Sequence, residues 1–290
     1  MDGWIFIDKP GEISSFAVIR KLRKILNIKK IGHAGTLDPF ATGVLAVALG
    51  EATKSVSYFN ARKFYQFRVL FGISKDTDDI TGKTLETSDT IPLKKDIDLC
   101  LKHFVGLQQQ IPPKYSAVKI NGKRAYKLAR ENKIFEIKSK EVNIYNIKCF
   151  ATQKKEEFIF TMECSSGTYV RSFARDLGKM LGTFAYVSEL RRFKIGKFGE
   201  NNIILLDKLA ELVHIGEHFE VIHSIQDVLD DIPAVQLNSG LSKKFQNGLS
   251  FDYFNKDIIE DTLLVISDTK LLGIGKALDG KIKPLRVFNL

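Results

Sequence analysis

Apolar positions along this chain change spacing repeatedly, and each change predicts an element. Trp4–Ile7 is a short apolar run stopped by Asp8-Lys9-Pro10-Gly11, which predicts a strand and then a turn. From Phe16 to Leu26 the residues Val18, Ile19, Leu22, Ile25 and Leu26 recur at helical spacing, with Ser14 or Ser15 as cap. Gly32–Gly43 reads as a loop, and the apolar run Val44–Leu49 as a buried strand. Phe64–Gly72 alternates as a strand, and Ile97–Phe104 reads as a helix. Ile111–Lys127 reads as a proline-opened loop with a hairpin at Asn121-Gly122. Glu141–Phe150 and Glu157–Cys164 read as paired strands. Helical spacing returns over Thr168–Leu181 at Val170, Phe173, Leu177 and Leu181. Without a regular strand–helix alternation, the pattern predicts an α+β fold rather than a doubly wound sheet. After Asp230-Asp231 the texture shifts to short apolar pieces, Leu263–Ile266, Leu271–Ile274 and Leu285–Phe288, separated by Gly, Asp and Asn. That predicts a small β-rich unit.

Charge narrows the choice of partner. The 290 residues carry 44 Lys and Arg against 34 Asp and Glu, a formal +10, which favours an anionic partner such as nucleic acid or a membrane surface. No apolar run reaches the roughly 18 residues that span a bilayer, and the N-terminus lacks the apolar core of a signal peptide. The three cysteines, Cys100, Cys149 and Cys164, form no CxxC pair, so neither a zinc ribbon nor a disulfide framework is expected. Together these predict a cytoplasmic protein with reduced thiols.

The candidate chemistry centres on Gly32–Lys54, GHAGTLDPFATGVLAVALGEATK. Asp38 is the one carboxylate in its loop. Aspartate there is commonly a turn-former, but Gly35, Pro39 and Gly43 suggest a backbone held in a set shape, and a carboxylate so held can act as a nucleophile. Ser165–Arg171 places Tyr169 and Arg171 at a helix start, where an arginine can hold a carboxylate ionised. Tyr65, in Lys63-Phe64-Tyr65-Gln66-Phe67-Arg68, suits base stacking beside phosphate contacts, although aromatic strand residues are more often core. Lys114–Lys127 carries five cations and two tyrosines with no acid; a solvated positive face is the ordinary reading, and a nucleic-acid-gripping arm fits the interleaving better. His214-Ile215-Gly216-Glu217-His218 matches an HxxEH zinc pattern, but Gly216 interrupts the helix it needs, so a solvent-exposed helix end is expected.

The segments Gly32–Pro39, Ala41–Leu45 and Gly50–Lys54 resemble the signature of the TruB family of tRNA pseudouridine synthases. Asp8-Lys9-Pro10, Tyr65, Pro113–Lys119, Gly167–Arg171 and Leu190-Arg191-Arg192 follow in the family's order, so the resemblance runs from about residue 3 to about 200. It implies isomerisation of uridine 55 in the tRNA T-loop to pseudouridine without metal or organic cofactor. Asp38 is then the nucleophile and Arg171 its partner. Tyr65 stacks on the flipped base, with help in proton transfer left open. Tyr169 and Leu190 line the pocket, Lys9 and Lys54 lie near it, and His33 stacks in the space the base vacates. Lys114, Tyr115 and Lys119 belong to the tRNA-gripping insertion. Ser166 stands where many members have lysine, so no phosphate contact is expected there.

The resulting expectation is a catalytic domain over 1–230 with the pseudouridine synthase fold: a central mixed or antiparallel sheet, flanking helices and an insertion at about 108–140. A reduced PUA-like β-barrel follows over 231–290. The partner is the T-arm of tRNA, with no membrane, no obligate protein partner and a monomeric state. The rival from another class is a non-catalytic RNA-binding protein on the same scaffold; a metallopeptidase at His214–His218 comes third.

Overall fold

The computed structural model describes residues 1–253 and 261–290; residues 254–260, within the expected C-terminal unit, lie outside the described residues. The chain opens with β1 (Gly3–Lys9) and α1 (Ser15–Leu26), whose cap is Ser14, with its hydroxyl accepting from the Ala17 N–H at 3.1 Å. Then come β2 (Ile31–Ala34), β3 (Thr42–Leu49), a 3-10 helix (Gly50–Tyr58) and β4 (Lys63–Phe71). A small hairpin, β5 (Ile73–Lys75) with β6 (Thr84–Thr87), leads to α2 (Lys94–Leu101) and β7 (Gly106–Gln110). α2 begins three residues before the expected Ile97 start, because Lys94 to Asp96 complete its first turn with only Ile97 and Leu101 buried.

The insertion holds β8 (Lys119–Ile120) and β9 (Lys123–Arg124), which close the expected Asn121-Gly122 hairpin, and α3 (Ala125–Arg130). β10 (Lys140–Ala151) and β11 (Glu157–Cys164) pair antiparallel, and α4 (Val170–Met180) buries Val170, Phe173 and Leu177. β12 (Ala185–Ile195), β13 (Ile203–Ile204), α5 (Leu206–Ile215) and α6 (Ile225–Val228) complete the larger part.

One sheet organises this part, in the order β13-β1-β3-β12-β4-β11-β10-β7, with β2 also on β3. It is mixed: β12 runs parallel to β3 and antiparallel to β4. β12 is central yet escapes the apolar pattern, because Glu189, Arg191, Arg192 and Lys194 interrupt its hydrophobic positions. Gly43 makes the β3–β12 contact possible. At φ +97° its missing Cβ would sit 2.2 Å from the Arg192 carbonyl oxygen, closer than any side chain allows.

The C-terminal part comprises β14 (Ala234–Gln236), α7 (Ser239–Gln246), β15 (Phe251–Asp252), β16 (Thr262–Ser267), β17 (Lys270–Leu278) and β18 (Lys281–Val287). Its sheet runs β14-β16-β17-β18-β15 and leaves β14 and β15 unpaired with each other among the described residues, a curled half-barrel rather than a closed one. Val235, Phe245, Val265 and Ile282 give it a core of its own. A second cluster joins it to the large sheet: Trp4, Phe6, Val44 and Ala46 pack with Leu264, Leu271, Ile274 and Phe288. The two parts therefore share buried apolar surface.

Candidate active site

The loop between β2 and β3 carries Asp38 and is pinned from three elements. The Ser15 hydroxyl, at the start of α1, donates to the Leu37 carbonyl and accepts from its N–H, both at 2.9 Å. The fully buried Lys9 ammonium, at the end of β1, donates to the carbonyls of Pro10, Ile13 and Pro39 at 2.8, 2.8 and 3.1 Å. From β12, Arg192 donates to the Gly35 carbonyl at 2.8 Å. Backbone acceptors thus fix a loop whose own sequence is small and turn-forming, and the carboxylate it presents is 31% exposed.

Arg171, in the first turn of α4, reaches Asp38 with Nη2 at 2.8 Å. The same guanidinium donates to the carbonyls of Thr77 at 2.9 Å and Tyr115 at 3.2 Å, and lies 3.3 Å from Asp79. Asp79 is buried, and its other carboxylate oxygen accepts from the Thr77 hydroxyl and from the Thr81 hydroxyl and N–H. The sequence reading missed this second acid, because Asp76-Thr77-Asp78-Asp79 reads as an ordinary polar turn. Only the fold shows that the loop crosses β12, where Ile80 N–H donates to the Val187 carbonyl at 2.9 Å.

Burial pushes the Asp38 carboxyl above its ordinary range. The Arg171 charge pulls it down, Asp79 pushes it up, and Lys9 pulls it down. Lys9 is itself lowered to about 8, chiefly by burial, with Asp38 acting against that and Arg192 adding to it.

Tyr65 and Leu190 stand on neighbouring strands, Leu190 opposite Phe67 and Tyr65 opposite Arg192. Tyr65 is buried, with its hydroxyl 3.4 Å from Arg192 Nη1. Leu190 lines a cleft of about 500 Å³ with Phe40, Phe67 and Ile80. The His33 ring nitrogen Nδ1 is buried without a partner, and burial together with Arg192 holds the imidazole below its usual pKa. The ring is therefore neutral and suited to stacking.

Tyr169 caps α4, and its backbone is clamped by the Gln110 amide, which accepts at 2.8 Å and donates at 3.1 Å. The Ile111 carbonyl accepts from Ser172 at 2.7 Å and Arg175 at 2.9 Å. The root of the insertion is thus fastened to the helix that carries Arg171. Beyond it Lys114 and Lys119 are exposed and Tyr115 half-buried.

Lys54 stands apart from this cluster. Its ammonium is held by Glu51 at 2.5 Å and by the Val287 carbonyl at 2.7 Å, on the seam with the C-terminal part. The Ser166 hydroxyl faces the Ala61 carbonyl at 3.4 Å. Among the described residues no group of three or more His, Cys, Asp or Glu side chains could hold a metal. α5 ends before Gly216, at φ +82°, so His214 and His218 share no helix. No described helix is long and apolar enough to cross a membrane.

The chain resembles known proteins along its length. Residues 23–170 match the sequence model of the TruB family pseudouridylate synthase N-terminal domain. Residues 171–232 match that of the tRNA pseudouridylate synthase B C-terminal domain, and residues 233–288 that of pseudouridine synthase II TruB, C-terminal. The chain is 39% identical to tRNA pseudouridine synthase B of Bradyrhizobium diazoefficiens, over 99% of this chain and 86% of that protein. It is equally similar to that of Ehrlichia ruminantium over the whole of both chains. A solved Cbf5-Nop10-Gar1 complex superposes with TM-score 0.72 at 26% identity, over 95% of this chain and 78% of that one. An H/ACA RNP bound to a substrate RNA containing 2'-deoxyuridine shares the fold, with TM-score 0.75 at 23% identity over 99% and 85%. By these matches the chain belongs to the TruB family of pseudouridylate synthases.

Proposed function

We propose that this protein isomerises uridine 55 in the T-loop of tRNA to pseudouridine, with Asp38 as the nucleophile. The observation that carries the reading is the 2.8 Å ion pair between Asp38 and the buried Arg171. The reaction breaks N1–C1′, turns the uracil and joins C5 to C1′. Asp38 either adds to C6 of the base or attacks C1′; both routes require it ionised. An unpaired carboxylate in a dry pocket takes up a proton, and the guanidinium opposes that. The reaction has no net redox change, so it calls for no electron carrier.

The target must first leave the loop stack, at a cost of a few kcal/mol. Tyr65 stacking on the flipped base, and the neutral His33 filling the vacated space, offset part of that cost. Tyr169 and Leu190 bound the pocket. The exposed cations Lys114 and Lys119, with half-buried Tyr115, meet the T-arm. Lys9 contributes by holding the Asp38 loop. The C-terminal half-barrel serves as a PUA-like RNA-binding unit, and the protein acts as a cytoplasmic monomer.

The test is tRNA tritiated at C5 of uridine. The protein should release one label per tRNA, and a folded Asp38→Ala variant should release none. Label release by that variant overturns the nucleophile assignment, and binding of tRNA without release by the native protein overturns the reaction.

A further inference from the structure

β7 covers only part of β10. The two pair antiparallel from Lys140 opposite Gln110 to Ile144 opposite Gly106, and the ladder ends there, where Gly106 takes φ +95°. β10 itself runs on. After a bulge at Tyr145 it pairs with β11 from Asn146 to Ala151. On the side that β7 leaves, residues 146–151 meet no strand, and their backbone has no hydrogen-bond partner there among the described residues. Alternate N–H and C=O groups of this stretch face outward, along about 20 Å of strand. A groove of about 340 Å³ opens against it, lined by Leu101 of α2, Val105, Ile147 and Cys149, with Lys102 and Lys148. Burial pushes the Cys149 thiol up to about 12, so it stays neutral and counts with the apolar side chains. Val105 and Phe150, which also lines the groove, are exposed at 49% and 47%. Neither Lys102 nor Lys148 meets a carboxylate among the described residues, whereas Asp98 in the same groove is taken by Lys94 at 2.5 Å.

We propose that the open edge of β10 is a docking site for an extended, acidic segment of a partner protein, which adds to the sheet as one more strand. Main-chain hydrogen bonds to residues 146–151 supply the attraction, and alternate side chains supply the choice of partner. On one face of the added strand, apolar side chains enter the groove over Leu101, Val105 and Cys149. On the other face, acidic side chains meet Lys148, and Lys102 at the groove adds a second positive charge. A second copy of this chain is the occupant that the charges disfavour. Antiparallel self-pairing about residues 146–151 brings Lys148 beside its own counterpart, and like charges across paired strands destabilise them. Lysine on an edge strand is a device against such pairing, and two chains of formal charge +10 repel each other besides. The same lysine that rejects a copy selects a strand carrying carboxylates.

The experiment measures fluorescence anisotropy of a labelled peptide of alternating Glu and Val, beside the same peptide N-methylated at alternate residues and a peptide of alternating Lys and Val. Amide exchange is followed in native protein with and without the first peptide. Native protein should bind the Glu peptide about 10-fold more tightly than either of the others, with exchange slowed across residues 146–151. Lys148→Glu should reverse the preference toward the Lys peptide. Should Lys148→Glu not fold, Lys148→Ala decides: loss of the Glu peptide's advantage supports the proposal, and its persistence overturns it. Equal binding of the N-methylated peptide reduces the contact to charge alone and overturns strand addition. No binding at millimolar peptide, or slowed exchange only elsewhere, overturns the site. Slowed exchange at residues 146–151 that grows with protein concentration alone gives the edge to a second copy, and slowing by T-arm RNA alone gives it to RNA; either result overturns the proposal.

Discussion

Asp38 is held in a state that the fold does not favour. Its pKa is raised in the folded protein, so folding stabilises the protonated form, and that contribution is present at low pH and lost as pH rises through the folded value. Chemistry needs the ionised form. Asp38→Asn is therefore expected to abolish label release while melting at the same temperature as the native protein or higher, checked by calorimetry at pH 7. In native protein the acid limb of the rate should lie above the ordinary carboxylate range near pH 4, and Arg171→Lys, which loses the bidentate reach to Asp38 and Asp79, should move it higher still. Much of this site can be read from the sequence. Asp38 stands out in its loop, and Tyr169 with Arg171 stands out at a helix start. Asp79 cannot be read, because nothing local distinguishes it from Asp76 or Asp78; its role arises where its loop crosses β12.

Elements differ in how openly they declare themselves. α1, β3 and β4 bury continuous or alternating apolar faces, and their extents follow from the pattern to within two residues, β3 beginning at Thr42 inside the segment read as loop. β12 does not, because it gives successive positions to ions: Arg191 meets Asp8 at 3.0 Å, and Arg192 enters the core. A strand that serves a site spends its sequence on the site. The insertion divides labour along its length. Its root is bolted to α4 through Gln110 and Ile111, whereas its tip hairpin exposes Lys119, Lys123 and Arg124. Lys119→Glu with Lys123→Glu should raise KM for tRNA several-fold, leave single-turnover rate at saturation unchanged, and reduce the salt dependence of binding by about one unit of slope per lost phosphate contact. Filter binding from low to high salt measures this.

At the scale of the molecule the two sheets are joined by the cluster around Trp4, Phe6, Leu271 and Phe288, and by one carboxylate on the seam. Glu51 accepts from Lys30 at 3.0 Å, from Lys54 at 2.5 Å and from the Asn289 N–H at 2.9 Å. Burial pushes its pKa up, but the bonds from Lys54, Asn289 and Lys30 prevail and hold it at about 2. A depressed carboxylate stabilises the fold above its unfolded pKa, and that stability is lost as pH falls toward 2. Glu51→Gln should lower the denaturant midpoint at pH 7, with the difference from native protein closing between about pH 4.5 and pH 2.

Glu51 also shapes what can be done with the chain as a thread. Its own N–H donates to the Asp2 carboxylate at 2.6 Å while its side chain takes Asn289, so residues 2 and 289 flank a single residue. A short linker could join them into a ring with every element left in place. New ends could then open at the exposed turn of residues 153–155, between β10 and β11 and in neither the site nor the insertion. The order in which this enzyme is synthesised, from β1 to β18, is in that sense separable from the order in which it is built.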